Sequence, residues 1–284
     1  MQLARARRRV LLVDAGRPRN RFAAASHGFL GQDGAAPADI MRLGLTQLAA
    51  YPTVDFVHAE ALAAATEERG FSLALSDGAA VQARKLVLAT GVTDDLPLEA
   101  MIPRWGVSVL HCPSCHGYEV RGGRVAAIAN ASAAAHQAML LPDWGPTTYF
   151  TQGVFEPSAE EAALLAARGV GIERTPVVDL LGEGTAIHAP RLADGREVPA
   201  EVVFTAPKTR VTSPLAEQLG CAFVDGMTGA HIEVDATQQT SVPGVFAAGH
   251  AASPVDNATP GSAAGVMAGV AAHRALVLET AGGA

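Results

Sequence analysis

Residues 110–120 read LHCPSCHGYEV. Cys112 and Cys115 stand two residues apart, with His111 and His116 on either side. Thiols and imidazoles at this spacing can bind a metal, attach a haem, or cycle between disulfide and dithiol. A tetrahedral zinc site needs four ligands, usually two such pairs or a pair with spaced histidines. Here the remaining cysteine, Cys221, has no companion, and four ligands on one short segment would crowd each other, so no metal is expected. C-x-x-C-H also matches the c-type haem attachment pattern. That chemistry belongs to exported proteins, and VLLV at 10–13 is too short for a secretory apolar region. Two inert buried cysteines are the plain alternative. Pro113 inside the pair and the basic neighbours argue against it, because a nearby cation or a helix N-terminus favours the thiolate below the free value of about 8.5. A redox pair is the preferred reading, and these residues alone leave the others open.

A working dithiol must be held by a fold. The chain has 284 residues, 49% hydrophobic and 17% charged, enough to bury a substantial core. A net charge of −7 argues against nucleic acid and anionic membranes as partners. The basic run Arg5, Arg7, Arg8 and Arg9 reads as the solvated end of a helix. The low-charge stretch 257–272 contains Pro260 and several glycines. It is expected to be a small-residue helix packed in a soluble core rather than a membrane span. Three cysteines do not make a disulfide scaffold, so a cytoplasmic location is expected.

The pattern along the chain alternates strands and helices. QLARAR reads as a helix end and Val10–Asp14 as a strand, followed by a loop and a helix near Ala38–Ala50. From Val54 to Thr90, short runs with turn signals read as a meander returning to the strand of KLVLATG. After the cysteines come a strand at 124–129, a helix in SAAAHQAMLL, a strand at 147–151 and a helix opened by Ser158 with two early glutamates. A second meander leads to EVVFTAP. TSVPGVFAAGH reads as a strand ending in a glycine turn, before a last helix over Ser262–Glu279. This order predicts an α/β protein with two Rossmann-like nucleotide-binding layers.

VLLVDAG ends in an acid at a strand terminus. In dinucleotide folds that acid contacts ribose about 20 residues after a G-x-G-x-x-G turn. Counting back from Asp14 places the turn before Met1, so the chain reads as starting inside the first helix. Four stretches resemble the thioredoxin reductase-like branch of the pyridine nucleotide-disulfide oxidoreductases. They are VLLVDAG with RNRFAAASHGF (10–29), KLVLATG (85–91), CPSCHGYE (112–119) and TSVPGVFAAGH (240–250).

The resemblance implies two three-layer ββα domains. The FAD-binding domain would be discontinuous (1–103 and 237–284) and lack its first strand and Gly-rich loop. An NAD(P)H-binding-like domain at 104–236 would carry the C-x-x-C. It also implies homodimers, and electrons passing between NADPH, FAD and the disulfide. Carried over by position, Cys112 would exchange with substrate, Cys115 would face the flavin, and His116 would shuttle protons where the family usually has an aspartate. Asp14, Arg19, Asn20, Thr90, Gly91, Gly249 and His250 would contact FAD, and the last helix would point its N-terminus at the flavin.

Three departures bear on function. The second nucleotide turn reads ANASAA (129–134), with Ala129 and Ala131 at the glycine positions where backbone must approach a pyrophosphate. The strand at 147–151 ends in Gln152 and Gly153, with neither an acid for NAD nor an arginine pair for NADP. His250 replaces the usual aspartate. A degenerate NADPH site beside an intact CPxCH resembles the dithiol oxidases of the same broad family, which pass electrons to oxygen. The expected function is therefore FAD-dependent dithiol–disulfide exchange with NADPH or oxygen as electron partner. Its substrate would be a small dithiol or disulfide, or a thioredoxin-like protein. The alternative is a cofactor-poor binding or regulatory protein that keeps the fold.

Overall fold

The chain crosses between two structural units four times: Met1–Arg19, Ala38–Thr93 and Thr209–Ala284 form the first, and Asn20–Pro37 with Asp94–Lys208 the second. The computed structural model describes residues 1–254 and 257–282.

The first unit opens with helix α1 (Gln2–Arg5) and strand β1 (Val10–Asp14). Helix α2 (Pro37–Ala49) leads to β2 (Val54–His58), parallel to β1 from Val10↔Val54 to Asp14↔His58. Parallel neighbours require such a crossover, so Val54–His58 is not the first strand of a meander, as its alternation suggested. The meander is confined to β3 (Ala61–Glu67), β4 (Gly70–Leu75) and β5 (Ala80–Ala83). Gly70 enters β4 at φ +117°, and a Cβ there would lie 2.4 Å from the Ala83 carbonyl oxygen. Only glycine fits that position. Strands β6 (Leu86–Leu88) and β7 (Val92–Asp95) follow.

The second unit is built on a five-stranded sheet. In chain order it contains β8 (Val109–Leu110), helix α3 (Pro113–His116), β9 (Val125–Ile128), α4 (Ala134–Leu140), β10 (Thr147–Phe150), α5 (Ala159–Ala167), β11 (Gly171–Glu173), the hairpin β12 (Val177–Leu181) and β13 (Ala189–Leu192), and β14 (Val202–Phe204). The sheet order is β11-β10-β9-β14-β8, and every pairing in it is parallel. Period-two alternation sorts the side chains into two cores. Val125, Ala127, Tyr149, Phe204 and Leu110 pack with Ala134, Ala135, Ala138 and Leu165 of α4 and α5. Ala126, Ile128, Phe150, Val203 and Val109 pack with Val177, Leu180 and Leu192 of the hairpin. Helices, parallel sheet and antiparallel hairpin make three layers, the arrangement that the family resemblance implies. Ser158 caps α5 in a reciprocal box: the Glu161 amide donates to its Oγ at 3.2 Å and its own amide donates to Glu161 Oε2 at 2.8 Å.

The chain returns through β15 (Lys208–Val211), α6 (Leu215–Gln218), the hairpin β16 (Phe223–Asp225) and β17 (Ala230–Ile232), strand β18 (Val245–Ala247) and helix α7 (Ala258–Gly282). β18 lies parallel to β6, with Val245↔Leu86 and Ala247↔Leu88. Val245 and Ala247 face Phe71 and Leu215, while Phe246 and Ala248 face Ala268 and Ala272 of α7. The first unit therefore repeats the layering, but β1·β2 and β6·β18 are separate sheets among the described residues. None of the apolar residues Val10, Leu11, Leu12 and Val13 is fully buried, and Leu11 is 40% exposed.

The last helix departs from expectation twice. It starts at Ala258 rather than Ser262, because Asn257 Oδ1 accepts the Thr259 amide at 2.9 Å and Pro260 sits in the first turn, where a missing N–H costs nothing. It is also not wrapped in a core. Ala268, Ala272 and Leu276 are buried, but Val266, Met267, Val270, Val277 and Leu278 are exposed. By length and composition Ala258–Ala281 is long and apolar enough to cross a membrane.

Candidate active site

Cys112 and Cys115 are joined by a disulfide, with Cα atoms 5.3 Å apart. Cys112 is the N-cap of α3, Pro113 occupies the first helical position, and the amides of Cys115 and His116 both donate to the Cys112 carbonyl at 3.2 Å. Proline suits that position because its φ is preset and its absent N–H is not needed there. Both cysteines and His116 are half-buried, so the pair is reachable from solvent. Gly117 and Val120 are buried behind the segment, and Tyr118 is 85% exposed.

Two contacts that sequence reasoning missed fix this segment within the second unit. Gln137 on α4 donates from Nε2 to the His111 carbonyl at 2.6 Å. At the other end Gly117 lies against the Trp144 ring, where a Cβ would fall 2.5 Å from Cδ2. His111 also stacks near Trp105, with ring centroids 5.5 Å apart and planes tilted by 31°. Nothing in SAAAHQAMLL marks Gln137 apart from other helical polar residues. The glycine after His116 was the only sequence signal of a close approach.

The residues expected to touch FAD divide between the units. Asp14, Arg19, Thr90, Gly91, Gly249 and His250 lie in the first and Asn20 in the second. Thr90–Gly91 and Gly249–His250 follow the C-terminal ends of the neighbouring parallel strands β6 and β18. That is the edge where ligands bind in open α/β sheets. Gly91 (φ +65°) and Gly249 (φ +72°) both have open space where a Cβ would point. Arg19 Nη1 stands 3.1 Å from His250 Nδ1, so two expected cofactor residues from distant parts of the chain meet. Asp14 caps its own turn, with Oδ1 accepting the Gly16 amide at 2.8 Å. Asn20 Nδ2 reaches Ser26 Oγ at 3.5 Å. A cleft of about 370 Å³ is lined mainly by small residues, Gly249, Ala252, Ser253, Pro260 and Gly261 among them, together with the longer Gln238 and Met267. Small side chains, open glycines and the start of a 25-residue helix suit a flat heteroaromatic group. The described residues offer no glycine-rich cradle for a pyrophosphate beside it.

At the corresponding edge of the second unit, Ala129 is 1% exposed. Gln152 is committed to structure: its Oε1 accepts the Val177 amide at 2.7 Å and its Nε2 donates to the Val177 carbonyl at 3.4 Å. Arg174, just past β11, donates to Glu156 at 3.1 Å. The Glu173 carboxyl is held down at about 2 by hydrogen bonds from the Arg196 guanidinium and the Thr175 amide. Polar groups at this edge are thus bonded to one another. Among the described residues no cluster of three or more metal-ligating side chains forms.

The fold and the disulfide define a nucleotide-disulfide oxidoreductase architecture. Residues 149–274 match the family model for pyridine nucleotide-disulphide oxidoreductases. The thioredoxin reductase tcpT of Claviceps purpurea is 29% identical over 99% of this chain and 91% of its own length. An oxidoreductase from Agrobacterium tumefaciens of known structure is 45% identical, with a TM-score of 0.92 over 98% of this chain and 93% of that one. The structure of HlmI is 34% identical, with a TM-score of 0.90 over 99% of this chain and 89% of that one. The chain belongs to the thioredoxin reductase-like family of pyridine nucleotide-disulfide oxidoreductases.

Proposed function

We propose that this protein is an FAD-dependent dithiol oxidase, passing electrons from a small dithiol through Cys112–Cys115 to molecular oxygen. The carrying observation is the half-buried disulfide at the start of α3, followed by His116. A substrate thiolate attacks the Cys112 sulfur, the disulfide breaks, and Cys115 leaves as a thiolate. The second substrate thiol then resolves the mixed disulfide, so the substrate leaves oxidised and the enzyme holds a dithiol. His116, next to Cys115, takes up and returns the protons, since an imidazole nitrogen can both accept and donate one. FAD, when bound, would supply a two-electron acceptor for the dithiol, with oxygen as the final acceptor of the electron pair and two protons, giving hydrogen peroxide. Thr90, Gly91, Gly249 and His250 would hold the cofactor, with Arg19 beside the His250 ring at 3.1 Å. The buried Ala129 and the committed Gln152 favour oxygen over NADPH as electron partner. The exposed apolar face of α7 supports a homodimer, and the low cysteine content a cytoplasmic setting.

A second reading, an NADPH-driven reductase of a thioredoxin-like protein, is supported by the name of the Claviceps relative. The full chain, purified with FAD supplied, separates the two. Without oxygen, dithiothreitol is expected to bleach the visible flavin absorbance and NADPH to leave it intact, with Cys112→Ser abolishing the response. Bleaching by NADPH establishes the reductase. A protein that takes up no FAD overturns both readings and leaves a binding protein that keeps the fold.

A further inference from the structure

We infer that the stretch Gln137–Trp144 clamps the disulfide segment at both ends and sets its redox potential, with Gln137 as the positioning residue. This rests on the redox reading of the pair. The segment between the anchors contains both sulfurs, and its interior closes on itself through the Cys115 and His116 amides on the Cys112 carbonyl. Gln137 holds the carbonyl just before Cys112 at 2.6 Å. Trp144 abuts Gly117 so closely that no side chain fits. The base of the clamp is rigid, because Ala134, Ala135 and Ala138 seat α4 in the core with Val125 and Leu165. α4 directly follows the 129–134 turn, so the helix that would open a nucleotide site here carries a different load.

The clamp acts on the reduced form. Reduction by glutathione breaks the S–S bond, takes up two electrons and two protons, and forms glutathione disulfide. A dithiol pinned at both ends cannot spread, so re-forming the bond costs little chain entropy. Loosening one end gives the dithiol freedom that closure must then remove. A neutral hydrogen bond to a half-buried carbonyl corresponds to about a fivefold change in that equilibrium. At about 30 mV per tenfold for a two-electron couple, the potential rises by about 20 mV.

The test equilibrates the full chain, with FAD supplied, in graded glutathione buffers and quantifies free thiols by alkylation. Gln137→Leu keeps the bulk and removes the donor, and is expected to lower the closure constant about fivefold. Gln137→Glu sets an acceptor against an acceptor and is expected to shift at least as far. It keeps the side-chain volume should the leucine variant misfold. His136→Ala, on the exposed face of the same helix, is expected to leave the potential unchanged. Wild-type potentials in both Gln137 variants, or an equal shift in His136→Ala, overturn the clamp. A wild-type pair that does not cycle in these buffers instead overturns the redox reading itself.

Discussion

Gly117→Ala tests the seat of the disulfide segment most directly. The added methyl would lie 2.5, 2.6 and 2.9 Å from three atoms of the Trp144 ring. Carbon atoms pack at about 3.5–4.0 Å, so the overlap is about 1 Å. Overpacking of this size costs about 1–3 kcal/mol. Gly117 has φ −63° and ψ −34°, where alanine is unstrained and would by itself stabilise by about 0.4–1 kcal/mol through the unfolded chain. The expected net effect is therefore a destabilisation of about 1–2 kcal/mol. In a Trp144→Ala background the clash vanishes and only the favourable term remains, so the sign of the same substitution reverses. The assay is urea denaturation followed by far-ultraviolet circular dichroism on the two single variants, the double variant and the wild type. The ring packing described above is refuted if Gly117→Ala is neutral or stabilising in the wild-type background. It is equally refuted if the methyl costs the same with and without Trp144.

Ser158→Ala removes one half of the capping box on α5 and is expected to cost about 1 kcal/mol in the same denaturation assay, with Ser158→Thr largely retaining the wild-type value. Glu173 has a folded-state pKa lowered from 4.5 to about 2, so it contributes stability above pH 4.5 that is lost as pH falls toward 2. The full shift corresponds to about 3.4 kcal/mol, and because Arg196 is 55% exposed screening reduces it to about 1–2 kcal/mol. Glu173→Gln is expected to be less stable than wild type at pH 7, with the gap closing through that acid window.

The sequence was most readable where one residue type suffices for one role. The cysteine pair, the strand VAAI and the Ser158–Glu161 box each signal themselves through spacing, and each lies where its pattern placed it. It was least readable where a role depends on a distant neighbour. Gln137 matters because α4 carries it to the His111 carbonyl, and Gly117 because Trp144 fills the space a Cβ would need. The run Val54–His58 alternates like a hairpin strand, and only its pairing to β1 shows it to be the far side of a crossover. Pro260 pulled the expected start of α7 too late, because the capping role of Asn257 carries less weight in a sequence than a proline. The exposed face of α7 was hidden because its apolar residues run all round the helix, a pattern that ordinarily means burial.

The pairing of β6 with β18 also fixes an order of events during synthesis. Leu86 is made early, and its partner Val245 emerges only after the whole of Asp94–Lys208 has been translated. Until then β6 lacks the strand it pairs with, although β1·β2 and the β3–β5 meander are already made. The five parallel strands of the second unit are complete once Phe204 is made. A ribosome-bound chain therefore holds a finished second unit, disulfide segment included, while the first unit still waits for its last strand and helix.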